Sequence, residues 1–456
     1  HDFKNQVGGK MTKKIAILGA GESGTGAAVL ATKHGFRVWL SDSGKIKQKY
    51  KDVLSHFEIA FEEGKHSEDM ILDADEVIIS PGIPLTAPLL QKIRAKLIPV
   101  ISEIEFAARY TSARKICITG SNGKTTTTLL IHHILKNAGI NVGLAGNVGE
   151  SFAMQVATRE YDWYVLEISS FQLDSMFAFK ADIAILTNIT PDHLDRYDYR
   201  FENYIDSKFR ITQNQTAQDA FIYCLDDEVS AREVKQRNLK AHVYTVTCDP
   251  ANTSANAYCI DKKIHINIPN NHFTMTLEEL ALQGKHNVYN SMVASIASKL
   301  VDIRSESIRQ SLSAFENVPH RLEFVARIHG IDFINDSKAT NVNSAWYALE
   351  TMDTPVIWIA GGIDKGNDYS KLIELVSQKV KAIICLGIDN SKIIETFGDK
   401  VGAIYETQSM EQAVMTAYTI GKKDDTVLLS PACASFDLFE NYEERGNMFK
   451  KEVKKL

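Results

Sequence analysis

The amino-acid sequence predicts an α/β protein of three domains, each built around a mostly parallel β-sheet. Short apolar runs rich in β-branched residues alternate with helical patterns along the chain, and this alternation is typical of βαβ units. The chain has 456 residues, which suits three domains of roughly 150 residues each. We place these domains at residues 11–105, 106–318 and 319–456.

Composition narrows the class of protein further. Hydrophobic residues make up 44% of the chain and charged residues 24%, as in folded globular proteins. The net charge is −6, so the chain lacks the basic field that holds a nucleic-acid backbone. No apolar run approaches the roughly 18 residues of a membrane span, and the six cysteines show no CxxC spacing. We therefore expect a cytoplasmic protein without a nucleic-acid partner, membrane insertion, zinc site or disulfides.

The first block of elements follows a short polar leader. Residues 1–10 lack the apolar core of a signal peptide, and we interpret them as a remnant of expression, with the native start at Met11. The elements predicted next are strands at Lys14–Leu18, 37–40 and 76–80, and a small-residue helix at 26–34 that Gly35 ends.

The second and third blocks repeat the pattern. In the second block, the apolar runs predict strands at 115–119, 163–168 and 181–186, and a helix at 125–137. In the third block they predict strands at 355–360, 382–386 and 426–430. The polar stretch 247–263 is predicted to be a surface hairpin or loop.

A glycine-rich turn follows the first strand. Gly19-Ala20-Gly21-Glu22-Ser23-Gly24 fits the GxGxxG pattern, and Asp42 ends the second strand. Such a turn lets phosphates approach the backbone at a helix N-terminus, while the acidic residue contacts a sugar or base. NAD, another nucleotide, or a tight turn without a ligand all remain compatible with this pattern.

A second glycine-rich turn opens the second block. Thr119-Gly120-Ser121-Asn122-Gly123-Lys124-Thr125-Thr126 lies between an apolar strand and an apolar-faced helix, the context of a phosphate loop. Ile118 stands where the strict pattern has its first glycine, so the loop is a variant. Backbone N–H groups would cradle phosphate oxygens, Lys124 would supply a positive charge, and the Thr125 hydroxyl would bind Mg²⁺.

Polar residues also follow two later strands of the second block. Glu167 ends one strand, and the segment 187–195, with Asp192 and His193, follows the next. Parallel sheets bind ligands at the carboxyl ends of their strands, and a carboxylate such as Glu167 suits Mg²⁺. Taken singly, Asp192 is equally compatible with a helix N-cap and His193 with a surface imidazole.

Cations and hydroxyls concentrate in loops of the third block. Because Arg and Lys bind carboxylates and phosphates, these loops indicate an anionic substrate. The loops are His320-Arg321, 335–341, 361–365 and 430–437.

These motifs together resemble the Mur ligases over essentially the whole chain from Met11. NDSKATN and SPACASFD are typical of the member that adds D-glutamate, and no DNPR-like stretch of the diaminopimelate- or lysine-adding member is present. The segments that carry the resemblance are GSNGKTT at 120–126, EISSFQL at 167–173, NITPDHLDRY at 188–197, YIDSKFRI at 204–211, GKHN at 284–287, PHRLE at 319–323, NDSKATN at 335–341 and SPACASFDLFENYEERG at 430–446.

The resemblance implies a fold and an activity. It implies an N-terminal Rossmann-like domain that binds UDP, a central ATPase domain of the phosphate-loop type, and a C-terminal Rossmann-like domain that binds the amino acid. It implies an ATP-dependent ligase that adds D-glutamate to UDP-N-acetylmuramoyl-L-alanine (UDP-MurNAc-L-Ala) through an acyl phosphate, in peptidoglycan precursor synthesis. The implied cofactors are ATP and two Mg²⁺ ions, and we expect a monomer.

The resemblance also implies residue roles. The implied catalytic residues are Lys124, Glu167, His193 and Lys208, of which Thr125, Glu167, His193 and a carbamylated Lys208 would hold metal. ATP would contact Gly120, Ser121, Asn122, Gly123, Lys124, Thr125, Thr126, Asn287, Arg321 and Asp336. The UDP-substrate would contact Ser23, Asp42, Ser43, Ser80, Pro81, Gly82, Asn147 and His193, and D-glutamate would contact Lys338, Thr340, Lys365, Ser435 and Phe439. Glu22 departs from the apolar residue common at its position in the family, which leaves the uridine contacts open.

Other classes of function compete with this interpretation. An NAD-dependent oxidoreductase would explain the first glycine-rich turn but not the second. A folylpolyglutamate-type or another Mur-type amide ligase would use the same central domain. A catalytically inactive nucleotide-binding regulator would not need Lys124, Glu167, His193 and Lys208 together.

Overall fold

A computed structural model describes residues 12–269, 271–315 and 319–456 of the protein. It contains three β-sheets, each with helices on its faces, and the predicted three-part α/β fold is confirmed. The proposed remnant at 1–10, the start at Met11 and the boundary at 318 lie outside the described residues. The boundary predicted near residue 105 falls within a helix, Glu103–Ala108, and remains a prediction.

The first unit is a parallel five-stranded sheet in the order β3-β2-β1-β4-β5. Its strands are β1 Lys14–Leu18, β2 Arg37–Asp42, β3 Ala60–Glu63, β4 Glu76–Ile79 and β5 Val100–Ser102. Its helices are α1 Glu22–Lys33, α2 Gln48–His56, α3 Glu68–Leu72, α4 Pro88–Ala95 and α5 Glu103–Ala108. The chain order reverses between β1 and β4, which opens a ligand crevice at their carboxyl ends.

The start of α1 differs from its prediction at residue 26. The helix begins at Glu22 and takes in Gly24 and Gly26, because both positions need a residue without a side chain. A Cβ at Gly24 would lie 1.8 Å from the Gly19 carbonyl oxygen, and one at Gly26 would lie 2.0 Å from Ser151 Oγ. These glycines serve close packing inside the helix, and their turn-like appearance in the sequence is misleading.

The second unit is a nine-stranded sheet in the order β14-β13-β12-β11-β10-β9-β6-β8-β7. Its strands are β6 Arg114–Thr119, β7 Val142–Gly146, β8 Trp163–Glu167, β9 Ile183–Leu186, β10 Ala220–Cys224, β11 His242–Thr247, β12 Ala257–Ile260, β13 Lys263–Ile268 and β14 Asn271–Thr276. Its helices are α6 Lys124–Asn137, α7 Phe152–Thr158, α8 Ser170–Leu173, α9 Phe201–Phe209, α10 Glu228–Gln236, α11 Lys285–Leu300 and α12 Ser305–Ala314. The pairs β12/β13 and β13/β14 are antiparallel, so the predicted hairpin is confirmed at the end of the stretch 247–263.

The third unit is a six-stranded sheet in the order β15-β16-β20-β17-β18-β19, with only β15/β16 antiparallel. Its strands are β15 Glu323–Ile328, β16 Ile331–Asn335, β17 Val356–Ala360, β18 Val380–Leu386, β19 Ala403–Thr407 and β20 Thr426–Leu429. Its helices are α13 Val342–Thr351, α14 Ile373–Lys379, α15 Ser391–Phe397, α16 Met410–Ile420 and α17 Tyr442–Val453. Strands β17, β18 and β20 confirm the three predicted strands of this block within two residues.

A buried carboxyl group joins the first two units. Glu103, the first residue of α5, accepts hydrogen bonds from Ser151 Oγ at 2.8 Å and from the backbone N–H of Ala153 at 2.5 Å, at the start of α7. Burial raises the pKa of Glu103 to about 7, and the nearby Glu22 adds to this effect. The first unit is thus held to the second partly by a group that titrates near neutrality.

No helix of the described residues is long and apolar enough to cross a bilayer. The apolar residues form cores on both faces of the sheets, such as the cluster that packs α6 and α11 on the second sheet. Polar loops gather at the carboxyl ends of the central strands β1, β6, β9 and β20.

Candidate functional site

The turn between β6 and α6 has the backbone of a phosphate loop. Gly120 and Gly123 have φ angles of +143° and +82°, which L side chains rarely adopt. A Cβ at Gly120 would also lie 1.9 Å from Thr187 Oγ1. Helix α6 begins directly at Lys124, with no side chain capping its N-terminus. Its first N–H groups are therefore available to an anion.

Two buried lysines converge on one carbonyl of this loop. Lys124 Nζ donates to the Gly120 carbonyl at 2.9 Å and to the Ser121 carbonyl at 3.0 Å. Lys208 Nζ, from α9, donates to the same Gly120 carbonyl at 2.9 Å and to Thr119 Oγ1 at 3.3 Å. Burial lowers the pKa of both amines, that of Lys208 strongly, and the charge of Lys124 lowers the pKa of Lys208 further, whereas Glu167 and Asp192 oppose the shift of each.

Glu167 lies at the end of β8, beside Ile118 of β6 in the sheet. Only 5% of its surface is exposed, and its Oε2 atom is buried without a hydrogen-bond partner among the described residues. An acceptor in that condition is costly unless a cation or a donor meets it. Its negative charge raises the pKa of Lys124, Lys208 and Lys338, which places it amid these three cations.

His193 faces the same region from the loop after β9. Its backbone is left-handed, with φ +52°, and its ring packs edge-on against Phe171 at 5.1 Å. Burial lowers its pKa to about 4, although Asp192 opposes the shift, so the imidazole is neutral near pH 7. Lys365 of the third unit lies 3.5 Å from its Nδ1 atom. His193 therefore lies where the second and third units meet, with about a third of its side chain exposed.

The predicted UDP residues of the first unit gather at the crevice between β1 and β4. The Asp42 carboxylate accepts the N–H groups of Ala20 and Gly44, each at 2.7 Å, and so fastens the glycine-rich turn. A Cβ at Gly19 would lie 2.4 Å from Ser80 Oγ, which brings the two strand ends together. The other predicted residues here are Ser23 in α1, Ser43 after β2, and Pro81 and Gly82 after β4.

Two side chains define the rim of this crevice. Glu22 accepts a hydrogen bond from Tyr50 Oη at 3.2 Å, so its carboxylate turns toward α2. Arg196, from the second unit, donates to the Ile83 carbonyl at 3.3 Å and stacks on Phe171 at 4.1 Å. Asn147 is exposed on the loop after β7. The rim therefore joins the first and second units.

The third unit presents its charged residues toward the phosphate loop. Asp336, at the end of β16, accepts hydrogen bonds from Ser430 Oγ at 2.8 Å and from the Leu322 N–H at 3.2 Å. Burial raises its pKa to about 7, and Arg321 opposes that shift. Burial lowers the pKa of Lys338 to about 8. Lys338 Nζ donates to Tyr442 Oη at 3.0 Å and lies 4.5 Å from the centre of the Tyr442 ring.

Tyr442 contacts the predicted site residue Lys338, a contact that the sequence interpretation did not include. The resemblance assigned the aromatic role to Phe439, but the ring of Phe439 packs in a core of the third unit with Phe333 and Phe449. Tyr442 is the first residue of α17 and reaches Lys338. Aromatic residues recur at positions 436, 439 and 442, and their spacing alone does not indicate which of them contacts Lys338. Ser435 is buried at the start of the same segment, and Thr340 lies two residues after Lys338.

A cavity of about 240 Å³ adjoins the phosphate loop between the second and third units. Asn287 lines an adjoining cavity of about 390 Å³ together with Thr126 and Arg321, and its oxygen accepts from Asn290 Nδ2 at 3.1 Å. Asn290, one turn later on α11, lines the cavity beside the phosphate loop. The other lining residues include Asn122, Gly123, Asp226, His286, Tyr289, Arg321, Trp346 and Tyr347. Its position and size suit the nucleoside part of a nucleotide whose phosphates lie on α6.

Comparison with known proteins identifies relatives for each unit. A family model described as "Mur ligase MurD-like, N-terminal domain" matches residues 13–102. The model for the "Mur ligase middle domain" matches residues 118–298, and the model for the "Mur ligase, glutamate ligase domain" matches residues 320–433. The three matches cover most of the chain in the order of its three sheets.

Curated relatives match the chain end to end. A UDP-N-acetylmuramoylalanine–D-glutamate ligase of Bacteroides thetaiotaomicron is 57% identical over 446 residues, covering 97% of this chain and all of that protein. Proteins of the same name from Christiangramia forsetii and Cytophaga hutchinsonii are 55% and 51% identical, and each alignment covers 98% of this chain and all of the relative.

Solved structures share the fold at lower identity. UDP-N-acetylmuramate–alanine ligase MurC of Thermotoga maritima has a TM-score of 0.63 and 17% identity, covering 97% of this chain and 99% of that chain. A pseudomurein peptide ligase of type C from Methanothermus fervidus has a TM-score of 0.62 and 22% identity, covering 97% and 100%.

Proposed function

The chain belongs to the Mur ligase family, and on that basis we propose that it joins D-glutamate to UDP-MurNAc-L-Ala in an ATP-dependent step of peptidoglycan precursor synthesis. The observation that carries the proposal is the convergence of Lys124, Lys208 and Glu167 beside a phosphate loop that the third unit covers with its own cations. We expect this reaction to take place in the cytoplasm, with the protein as a monomer.

The chemistry explains why such a site is needed. A carboxylate is a poor acyl donor, since an oxide or hydroxide would have to leave. Transfer of the γ-phosphoryl group of ATP to the L-alanine carboxylate gives an acyl phosphate, with ADP as the other product. The D-glutamate amine then attacks the acyl carbon, the C–N bond forms, and phosphate leaves. Cations are required because the carboxylate and the γ-phosphate repel each other.

The nucleotide is assigned to the phosphate loop and the adjoining cavities. The loop N–H groups at 120–126 and Lys124 hold the phosphates. Arg321 and Asp336 approach from the third unit, and Arg321 also lines the cavity. We assign the base and ribose to the two adjoining cavities, one lined by Asn290 and the other by Asn287, with Arg321 lining both.

The residues present fit magnesium. Glu167 offers a buried oxygen without a partner, Thr125 a hydroxyl at the start of α6, and His193 a neutral imidazole. Oxygen donors such as the Glu167 carboxylate and the Thr125 hydroxyl are the ligands that Mg²⁺ prefers, and the His193 imidazole adds a nitrogen donor beside them. When bound there, the metal would neutralise negative charge on the transferring phosphoryl group.

Lys208 needs a modification to join such a site. An ammonium ion has no lone pair and repels a metal cation, whereas a carbamate offers anionic oxygens. We propose that the Lys208 amine reacts with CO₂, with loss of one proton, to give a carbamate. Burial supports this assignment, because it favours the neutral amine that is the reactive form. A plain lysine paired with backbone oxygens is the alternative.

The remaining substrates are assigned to the other two units. UDP lies in the crevice of the first unit, with its phosphates at the N-terminus of α1 and its uridine toward Asp42 and Ser43. D-Glutamate carries two carboxylates, to which we assign Lys338 and Lys365 of the third unit. Thr340, Ser435 and Tyr442 complete this group, and Phe439 supports it from the core.

Phosphate release from ATP tests the proposal. The purified protein is mixed with ATP, Mg²⁺ and UDP-MurNAc-L-Ala, with and without each candidate amino acid, and folates are offered as alternative acceptors. We expect sustained release only when D-glutamate is added, with the ligated product seen by mass spectrometry. Release driven by another amino acid or by a folate would overturn the assignment and favour another amide ligase.

A further inference from the structure

One amide side chain of the third unit touches two loops of the second unit. Asn341, the N-cap of α13, donates from Nδ2 to Asn122 Oδ1 of the phosphate loop and to Asp192 Oδ2, each at 3.2 Å. Its own oxygen accepts the Ser344 N–H at 2.9 Å, and the Ser344 hydroxyl also donates to Asn122. The N-terminus of α13 therefore rests directly on the phosphate loop.

The two loops that Asn341 touches carry separate parts of the site. Asn122 precedes Gly123 and Lys124, and its main chain is held by Asn188. Asp192 accepts the His193 N–H at 2.8 Å and so orients the loop that carries the imidazole. A donor placed between Asn122 and Asp192 fixes the distance between the phosphate loop and His193.

The same contact fixes the third unit. Asn341 follows Lys338 and Thr340 in the chain, and Lys365, on the loop after β17, lies 3.5 Å from His193 Nδ1. When Asn341 is seated, the amino-acid cations and the phosphate loop are held in one arrangement. We propose that Asn341 is a positioning residue that couples the seating of the third unit to the geometry of the phosphate loop. This inference rests on the proposed function.

The substitution Asn341→Asp isolates this role. Aspartate is as good an N-cap as asparagine, so α13 keeps its cap. The two N–H donors are replaced by an oxygen that faces Asn122 Oδ1 and the Asp192 carboxylate, which repels it. We expect kcat/KM for D-glutamate to fall roughly 10–100-fold, since a hydrogen bond to a charged partner is lost and an unfavourable contact replaces it. The Kd for UDP alone, whose assigned contacts lie in the first unit, should stay near its wild-type value.

Asn343→Asp is the matched control. It makes the same chemical change two residues along α13, at a partly exposed side chain that lines the crevice beside Asp192 and Lys365 but makes no hydrogen bond to Asn122 or Asp192 among the described residues. If the new carboxylate acted only through its charge, it would lower kcat/KM for D-glutamate to the same extent in both variants. A double-mutant cycle distinguishes this repulsion from a loss of packing. In an Asp192→Asn background, Asn341→Asp should lower kcat/KM for D-glutamate much less, because the carboxylate that repels it is gone.

The outcomes separate this inference from the proposed function. If wild-type protein shows no phosphate release that depends on D-glutamate, the proposed function fails. If wild type depends on D-glutamate but Asn341→Asp matches Asn343→Asp, the positioning role fails. An equal fall in kcat/KM on introducing Asn341→Asp into wild type and into Asp192→Asn would also overturn it.

Discussion

Replacement of Glu103 by glutamine should remove a pH-dependent weakness at the junction of the first two units. The pKa of Glu103 is raised by burial from an ordinary 4.5 to about 7, so the folded protein binds this proton more tightly than the unfolded chain does. Stability is then full below the ordinary pKa and is lost as the pH rises toward and through the folded pKa. By linkage the loss between about pH 5.5 and pH 8.5 is about 2 kcal/mol.

The assay is differential scanning calorimetry across that pH range. About 2 kcal/mol corresponds to a fall of roughly 3–5 °C in the transition that includes the junction. Glutamine keeps an oxygen for Ser151 and Ala153 but does not ionise, so Glu103→Gln should lack this fall relative to wild type. Glu160→Gln, at an exposed loop position after α7, is the control and should follow the wild-type curve. Parallel pH curves for wild type and Glu103→Gln would refute the reasoning.

Three further predictions concern the site itself. Lys124→Ala should abolish ligation while the Kd for UDP-MurNAc-L-Ala measured by calorimetry stays near wild type, whereas Lys136→Ala, exposed on the same helix, should change neither. D-Glutamate should be preferred over D-alanine by about 10⁴-fold in kcat/KM, because a missing carboxylate leaves buried donors unpaired; equal turnover would contradict the assigned pocket. Incubation with ¹³C-bicarbonate should give a carbamate carbonyl resonance by NMR that Lys208→Ala removes along with most activity, and a fully active Lys208→Ala enzyme would count against the carbamate.

The sequence predicted the parts of the fold that are buried on both faces. Strand β1 was placed to the residue, and β17, β18 and β20 within two residues, because parallel strands at the centre of a sheet are continuous apolar runs. Edge strands such as β3 and β19 were not predicted, since they are short and partly exposed. The start of α1 was misplaced because Gly24 and Gly26 look like turn residues when their close packing partners are unknown.

The candidate site was predictable wherever its chemistry is local. The loop at 120–126 and Glu167 at a strand end stand out from residue type and spacing alone. The contacts of Tyr442 and Asn341 did not, because each joins residues more than a hundred positions apart. Asn341 and Asn122 are separated by 219 positions, and no periodicity reports such a pairing.

The two carbonyl oxygens that Lys124 contacts affect which ligands the phosphate loop binds favourably. Lys124 donates to Gly120 and Ser121, and any ligand that takes this ammonium group must replace those bonds. Binding is therefore an exchange of hydrogen-bond partners. The gain in free energy is the difference in strength between the hydrogen bond to the incoming oxygen and the one to a neutral carbonyl. Charge-assisted hydrogen bonds are roughly twice as strong as neutral ones, so an anionic oxygen gains from the exchange. A water molecule or an uncharged hydroxyl gains little from this exchange, so Lys124 favours anionic ligands without any steric barrier.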